Sequence, residues 1–191
     1  MAKKLRVVNG LTAVGGAVLL LLSLWPGFVV GCFLVLAYPL ILGLGLTWLL
    51  VVIYGTRRTA SPPLHARAVL VAPLIVSMTF GLLLFYIPRR IAFAACVGQF
   101  EKHVPAARAG TTSGPAFMGI YYVDQYEADA NGGVYFRTGT TADGLGPDTL
   151  SYGFAHRPNR KGSPFGAARY RVYHLFGDWY WFQASDDWRA D

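Results

Sequence analysis

Acidic residues are missing from the first 100 residues of this 191-residue chain. Eight basic residues and no acid lie at or before residue 96, whereas nine basic and ten acidic residues follow it, for a net charge of +7. The excess positive charge therefore borders apolar sequence instead of clustering on a folded polar face. This distribution argues against a general nucleic-acid-binding protein.

Charged residues and histidine are also absent from three long apolar runs, at 7–24, 28–54 and 68–87. A helix needs about 20 residues to cross a hydrocarbon core of about 30 Å, so each run predicts a transmembrane helix. Only Trp25-Pro26-Gly27 separates the first two runs, which favours a tight helical hairpin over one bent segment. Spans without ionisable groups argue against a proton relay or an ion-coupled transporter.

The N-terminal sequence has two interpretations. Basic residues followed by an apolar run are typical of a signal peptide, but no convincing small-x-small cleavage site precedes Trp25, so an uncleaved first helix is favoured. The positive-inside rule then favours a cytoplasmic N-terminus. This orientation places six basic residues inside, namely Lys3, Lys4, Arg6, Arg57, Arg58 and Arg67. It places four outside, namely Arg89, Arg90, Lys102 and Arg108. The expected location is the cell (inner) membrane, with a multi-pass anchor and an extracytoplasmic C-terminal domain.

A connector helix is predicted over 89–108. Phe93, Val97, Phe100 and Val104 recur at spacings of four, three and four, as on one face of a helix that ends before Pro105. The stripe favours packing against the domain that follows. The alternative is a helix on the membrane surface, held by Arg89, Arg90 and Lys102.

The remaining residues, 109–191, predict a small antiparallel β-domain. Aromatic and β-branched runs alternate with glycine-, proline- and asparagine-containing turns, without intervening helical patterns. The predicted strands cover 117–126, 133–138, 150–155, 168–176 and 178–184, and Gly177-Asp178 predicts a hairpin between the last two. The fold class is therefore membrane α + β: a three-helix transmembrane region (1–88), an amphipathic connector helix (89–108) and an antiparallel sheet domain.

Patterns for catalysis, metal binding or a cofactor are lacking. The four histidines have no metal-site spacing, and both cysteines, Cys32 and Cys96, precede the β-domain, so we expect no disulfide there. The loop 143–148 contains two carboxylates but not the regular ligand spacing of a calcium loop, so a turn is favoured. We expect no catalytic residue, no metal and no cofactor.

Two features of the β-domain predict an interaction surface. One is a basic run without acids among its members, which would suit lipid headgroups, an anionic polymer or an acidic partner. It consists of Arg157, Arg160, Lys161, Arg169 and Arg171. The other is the aromatic C-terminal strand, where alternation places Trp179 and Trp181 on one face. Intramolecular cover of these aromatics is favoured over a partner.

Several short motifs together resemble a family of small, uncharacterised bacterial membrane proteins with a few N-terminal spans and a C-terminal aromatic-rich β-domain. The motifs are RRIAF at 89–93, GIYYV at 119–123, GVYF at 133–136, GFA at 153–155 and GDWYW at 177–181. The similarity covers about residues 89–188, and its motifs are based on glycine and aromatic residues. It implies a bacterial cell membrane and carries no assigned function.

These observations predict a non-enzymatic, membrane-anchored β-domain that binds a partner or an anionic surface. The expected partners are the lipid bilayer and either a protein or a second copy, contacted through the membrane helices or the β-domain, and not nucleic acid. The alternative is a membrane-bound, hydrolase-like enzyme using His156, His174 and Asp178 across the sheet. A pore or transporter subunit would require a broken helix at Pro39 or Pro73 to line a cavity.

Overall fold

The computed structural model of the chain describes residues 2–27, 43, 45–46, 48–50, 53, 66–142 and 149–186. Over these residues the chain divides into two compact units, Met1–Leu24 with Phe28–Pro88, and Trp25–Gly27 with Arg89–Asp191. The described residues form helices and two antiparallel sheets, which confirms the expected combination of helices and antiparallel strands.

The first unit contains two described helices, α1 (Ala2–Leu22) and α2 (Ala66–Leu84), which pack against each other. Gly16 permits the close approach, because a Cβ there would lie 2.7 Å from Thr79 Oγ1. On α1 the Thr12 hydroxyl donates to the Val8 carbonyl at 2.8 Å, so this buried polar group is satisfied within the helix. Gly16 and Thr12 therefore allow these two helices to pack closely.

Among the described residues, α1 alone is long and apolar enough to cross a membrane, over Leu5–Leu22. Most of its apolar side chains point away from the protein, as do those of α2. Taken by itself, α2 does not pass the same test; a second candidate arises only if α2 and the next helix count as one broken span. Most of the predicted second span, 28–54, lies outside the described residues, and its described positions are helical. Three spans therefore remain a prediction.

The second unit begins with α3 (Ile87–His103), followed by a 3₁₀ turn at Val104–Ala106. The α-helix thus ends five residues before the predicted boundary at 108. Its buried positions are Arg89, Phe93, Cys96 and Phe100, so Cys96 belongs to the stripe whereas Val97 is only half-buried. The expected packing of this helix against the β-domain is confirmed at both phenylalanines, which are fully buried.

The single strand predicted over 117–126 is wrong. The chain instead forms a hairpin of β1 (Ala116–Met118) and β2 (Tyr121–Val123), and then β3 (Gln125–Ala128) in a different sheet. Gly119 turns the hairpin at φ +67°, a conformation that favours glycine, and its N–H donates to Gln99 Oε1 at 2.8 Å. The break is therefore fixed by a contact with α3 that is distant in sequence.

The main sheet has five antiparallel strands in the order β3-β4-β5-β7-β6. Its remaining strands are β4 (Val134–Ala142), β5 (Thr149–His156), β6 (Ala168–Phe176) and β7 (Trp179–Ser185). The hairpin predicted at Gly177-Asp178 is confirmed, since β6 and β7 are adjacent and antiparallel. Both faces of the sheet are covered within the unit.

The face under α3, here the helix face, is an aromatic core. Phe93 stacks on Phe154 with ring centroids 4.2 Å apart, and Phe100 meets the edge of Phe136 at 5.2 Å. The opposite face, here the loop face, carries Tyr135 and Phe182 beneath the loop 157–167. The unit is therefore a helix, a sheet and a loop in three layers.

Candidate functional surfaces

All five residues of the basic run are exposed. Arg157, Arg160 and Lys161 lie in or at the start of the loop 157–167, and Arg169 and Arg171 lie at the start of β6. The two segments meet where the Tyr170 hydroxyl donates to the Asn159 carbonyl at 3.0 Å. The two segments therefore meet at Tyr170. Arg171, however, is in register with Gln183, next to the loop-face residue Phe182, and so points to the helix face. We call these five residues the basic surface.

A hydrogen-bond network centred on Asn159 fixes the loop. Its side-chain oxygen accepts from the backbone N–H groups of Lys161 (2.7 Å) and Gly162 (3.0 Å), and its side-chain amide donates to Asp129 Oδ2 at 2.5 Å. Its own N–H donates to the Tyr135 hydroxyl at 3.0 Å. Together with the bond from the Tyr170 hydroxyl to the Asn159 carbonyl, five bonds on this residue hold the backbone of Arg160 and Lys161, so the loop part of the basic surface is preorganised. The asparagine-containing turns noted in the sequence showed no sign of this role for Asn159.

The two phenols beneath this loop are structural. The hydroxyls of Tyr135 and Tyr170 lie 3.1 Å apart. Burial, followed by its hydrogen bond with Tyr170, raises the pKa of Tyr135. Burial likewise raises the pKa of Tyr170. Both groups are thus neutral hydrogen-bonding partners at physiological pH rather than bases.

Arg157 has an acidic partner. Arg157 Nε donates to Asp178 Oδ2 at 2.7 Å, and the same hydrogen bond lowers the pKa of Asp178. Arg157 also adopts φ +51°, unusual for a side chain with a Cβ. For Arg160, Lys161 and Arg171 the described part of the chain contains no ion pair.

Trp179 and Trp181, the other predicted binding residues, are core residues, exposed by only 4% and 6%. Trp179 packs on Phe93 at 5.2 Å, and Trp181 stacks on Tyr173 at 4.1 Å. The favoured intramolecular cover is therefore what the structure shows. It restricts the predicted binding surface to the basic residues.

Arg89 contributes to that cover. Its side chain is 2% exposed, and its guanidinium carbon lies 4.5 Å from the centroid of the Trp181 ring. The neighbouring Arg90 donates to the His174 carbonyl at 3.2 Å. Both arginines therefore contact the β-domain directly.

The predicted catalytic alternative does not assemble into a site. His156 is paired in register with Trp179, and His174 with Tyr180. Since adjacent residues of β7 point to opposite faces, the two histidines lie on opposite faces of the sheet. Ring contacts agree, at 4.9 Å for His156 with Trp179 and 5.1 Å for His174 with Tyr180. Asp178 lies in the β6–β7 turn and is bound to Arg157.

An open groove of about 500 Å³ lies beside Phe165 on the loop face. Its charged groups have partners within the unit: Arg137 forms an ion pair with Asp124 at 3.0 Å, and Glu127 accepts from Gly110 N–H and from the Thr112 hydroxyl. A groove whose polar groups are already satisfied offers little to orient a ligand.

Neither a metal-ligand cluster nor a relative identifies a function for this chain. Among the described residues, no group of three or more histidine, cysteine, aspartate or glutamate side chains could hold a metal ion. The carboxylates of the loop 143–148 lie outside those residues. No protein-family model, curated protein or solved structure matches the chain.

One surface was missed by sequence reasoning. Phe117, Ile120 and Tyr122, on the outer side of the β1–β2 hairpin, are all exposed, and Phe117 is 75% exposed. Their neighbours Met118, Tyr121 and Val123 are fully buried. Because this stretch is apolar throughout, its sequence contains no polar alternation that would have revealed the exposed side.

Proposed function

We propose that this protein is a multi-pass membrane protein that presents a non-catalytic β-domain to bind an anionic partner through the basic surface. The observation that carries the proposal is the exposure of all five basic residues together with the burial of both tryptophans. The proposed recognition surface therefore consists of the basic residues and does not include the two tryptophans.

The anchor is supported by the first unit. Val7, Leu11 and Val14 on α1 are each more than half exposed, and so are Leu70 and Leu74 on α2. A helix in water would bury such side chains, whereas a helix in lipid would present them to acyl chains at no cost. With the uncharged run 28–54 between them, these helices favour three spans.

The contacts of Arg89 and Arg90 favour a cytoplasmic N-terminus. Both arginines would argue against this orientation if they served only as basic residues flanking a transmembrane helix. However, Arg89 is buried against the Trp181 ring, and Arg90 donates to the His174 carbonyl. Their positions are thus explained by the stability of the β-domain. Without them, six basic residues inside oppose only Lys102 and Arg108 outside, which strengthens the positive-inside argument.

The acids of the described β-domain leave the basic surface largely uncompensated. Asp124 pairs with Arg137, Glu127 binds Thr112, and Asp186 holds Thr149. Asp129 accepts from the side-chain amide of Asn159, within the loop of the basic surface. Asp178 pairs with Arg157. Arg160, Lys161 and Arg171 form no ion pair with the described acids, so their charge is available to an anionic partner.

The test is binding of the full chain, reconstituted in neutral nanodiscs, to vesicles containing phosphatidylglycerol and separately to polyglutamate. The variant Arg160→Glu, Lys161→Glu, Arg171→Glu should lose most of the binding, because three charges near an anionic surface contribute about 1 kcal/mol each. Binding by the wild type should also weaken as salt is raised.

The matched control is Lys102→Glu with Arg108→Glu, two exposed basic residues outside the basic surface. Their reversal should leave most of the binding intact. Equal loss in both variants would indicate a general charge effect, and unchanged binding in the triple variant would refute the role of the basic surface.

A further inference from the structure

We propose that the outer side of the β1–β2 hairpin, together with the exposed side of the first turns of α3, lies in the interfacial region of the bilayer. This inference rests on the membrane anchorage proposed above, and it concerns a surface distinct from the basic surface. The partner is the lipid bilayer in which the chain is anchored.

The hairpin has two chemically different sides held in fixed orientation. Tyr121 is fully buried, with its ring centroid 6.5 Å from that of Phe93 and 4.7 Å from that of Phe154. On the other side, Phe117 and Tyr122 form an exposed ring pair 5.1 Å apart. Because the inner side is locked into the core, the outer aromatic pair cannot turn inwards and stays exposed.

The exposed side of α3 is also largely apolar. Up to residue 98 its exposed positions carry one charge and otherwise only apolar or small side chains, namely Arg90, Ile91, Ala94, Ala95 and Gly98. A helix face in water is normally rich in charged and polar residues. Ile91 alone is 67% exposed. This face is therefore poorly suited to water.

The hairpin lies against the middle of α3. Gly119, at the hairpin turn, lies against Cys96 and donates its N–H to Gln99. Tyr121 lies against Phe93 on the buried side of the helix. The hairpin and α3 therefore adjoin, and each carries exposed apolar side chains, which usually mark a contact.

Chain connectivity favours lipid as the occupant. Only Phe85 and Tyr86 separate the end of α2 from the start of α3. If α2 is anchored in the bilayer, α3 therefore starts close to the point where α2 leaves it. The hairpin sequence contains no charge, and the first acid of the chain is Glu101. Exposed tyrosine and phenylalanine beside isolated basic residues are typical of interfacial segments.

The experiment places a photo-crosslinking residue, p-benzoyl-phenylalanine, at position 117 or 122 of the full chain in phosphatidylcholine–phosphatidylglycerol nanodiscs. The matched control carries it at Asn131, which is exposed in the turn between β3 and β4. Mass spectrometry after irradiation identifies adducts with phospholipid or with another chain. We expect several-fold more lipid adduct at 117 and 122 than at 131.

A dimer adduct without lipid adduct, or equal labelling at all three positions, would overturn the proposal. Alkaline carbonate extraction of membranes containing the same variants tests the anchor separately. A chain that stays in the membrane pellet but forms no lipid adduct refutes only the hairpin contact, whereas a chain released by carbonate refutes the anchorage itself.

Discussion

At the scale of single residues, the decisive contacts join positions distant in sequence. Arg89 resembles a charge that flanks a span, yet it is buried over the ring of Trp181. Asn159 resembles an ordinary turn residue, yet it fixes the loop that carries three of the five residues of the basic surface. The exposed basic residues could be named from the sequence because charge is a local property. Their preorganisation could not, since it depends on the Tyr135 and Tyr170 hydroxyls on two other strands.

His156 provides a prediction on pH. Burial, and then the charge of Arg157, lower its pKa, whereas a histidine in the unfolded chain titrates near pH 6.5. As the pH falls below about 6.5, the unfolded chain therefore binds a proton before the folded chain does, and the free energy of unfolding decreases. The variant His156→Asn should therefore lose less of its free energy of unfolding than the wild type between pH 7.5 and 5.5.

The measurement is thermal unfolding of the full chain in detergent, followed by tryptophan fluorescence, because Trp179 and Trp181 are buried in the unit concerned. Parallel pH profiles for wild type and variant would contradict the assignment. A lower melting temperature of the variant at every pH, without a change in slope, would also contradict it.

At the scale of elements, the helix was easier to predict than the strands. The spacing of Phe93 and Phe100 is a local signal, and the structure buries both. The stretch 117–126 is aromatic and β-branched throughout, so nothing in it showed that it divides into three strands. Its first division depends on Gly119 meeting α3, a tertiary contact that overrides a uniform propensity.

Removing one of these phenylalanines should unfold the second unit more readily. Phe93 contacts Phe154, Trp179 and Phe176, so Phe93→Ala should lower the free energy of unfolding by about 3–5 kcal/mol. Chemical unfolding in detergent, followed by tryptophan fluorescence, measures the change.

Lys102→Ala is the matched control on the same helix, where the side chain is exposed. Its effect should stay within about 0.5 kcal/mol. A similarly small effect of Phe93→Ala would show that α3 is not an integral part of the core.

At the scale of the whole molecule, the separation of charge is the clearest property of the sequence and the basis of the proposed orientation. A reporter that is active only outside the cytoplasm, fused after Asp191, should be active. Replacing Arg57, Arg58 and Arg67 by glutamine, with lysines added to the Trp25-Pro26-Gly27 turn, should reverse the orientation, because the basic bias is then inverted.

Activity of a cytoplasm-only reporter at the same position in the wild type would refute the proposed orientation. Each chain is fused after Asp191 to a reporter active only outside the cytoplasm and, separately, to one active only inside it, and the two fusions are compared at equal expression. High activity of the inside reporter with low activity of the outside reporter indicates inverted orientation, whereas comparable activity of both indicates poor insertion.

The edge strand β6 has a consequence for behaviour in a crowded membrane. Its register with β7 is interrupted twice, between Ala168 and Arg171 and between His174 and Phe176. In addition, the His174 carbonyl already accepts a hydrogen bond from Arg90. An interrupted, positively charged edge is a poor template for a long, straight strand from another molecule. Copies confined to one membrane plane should therefore resist strand-to-strand aggregation, even at high local concentration.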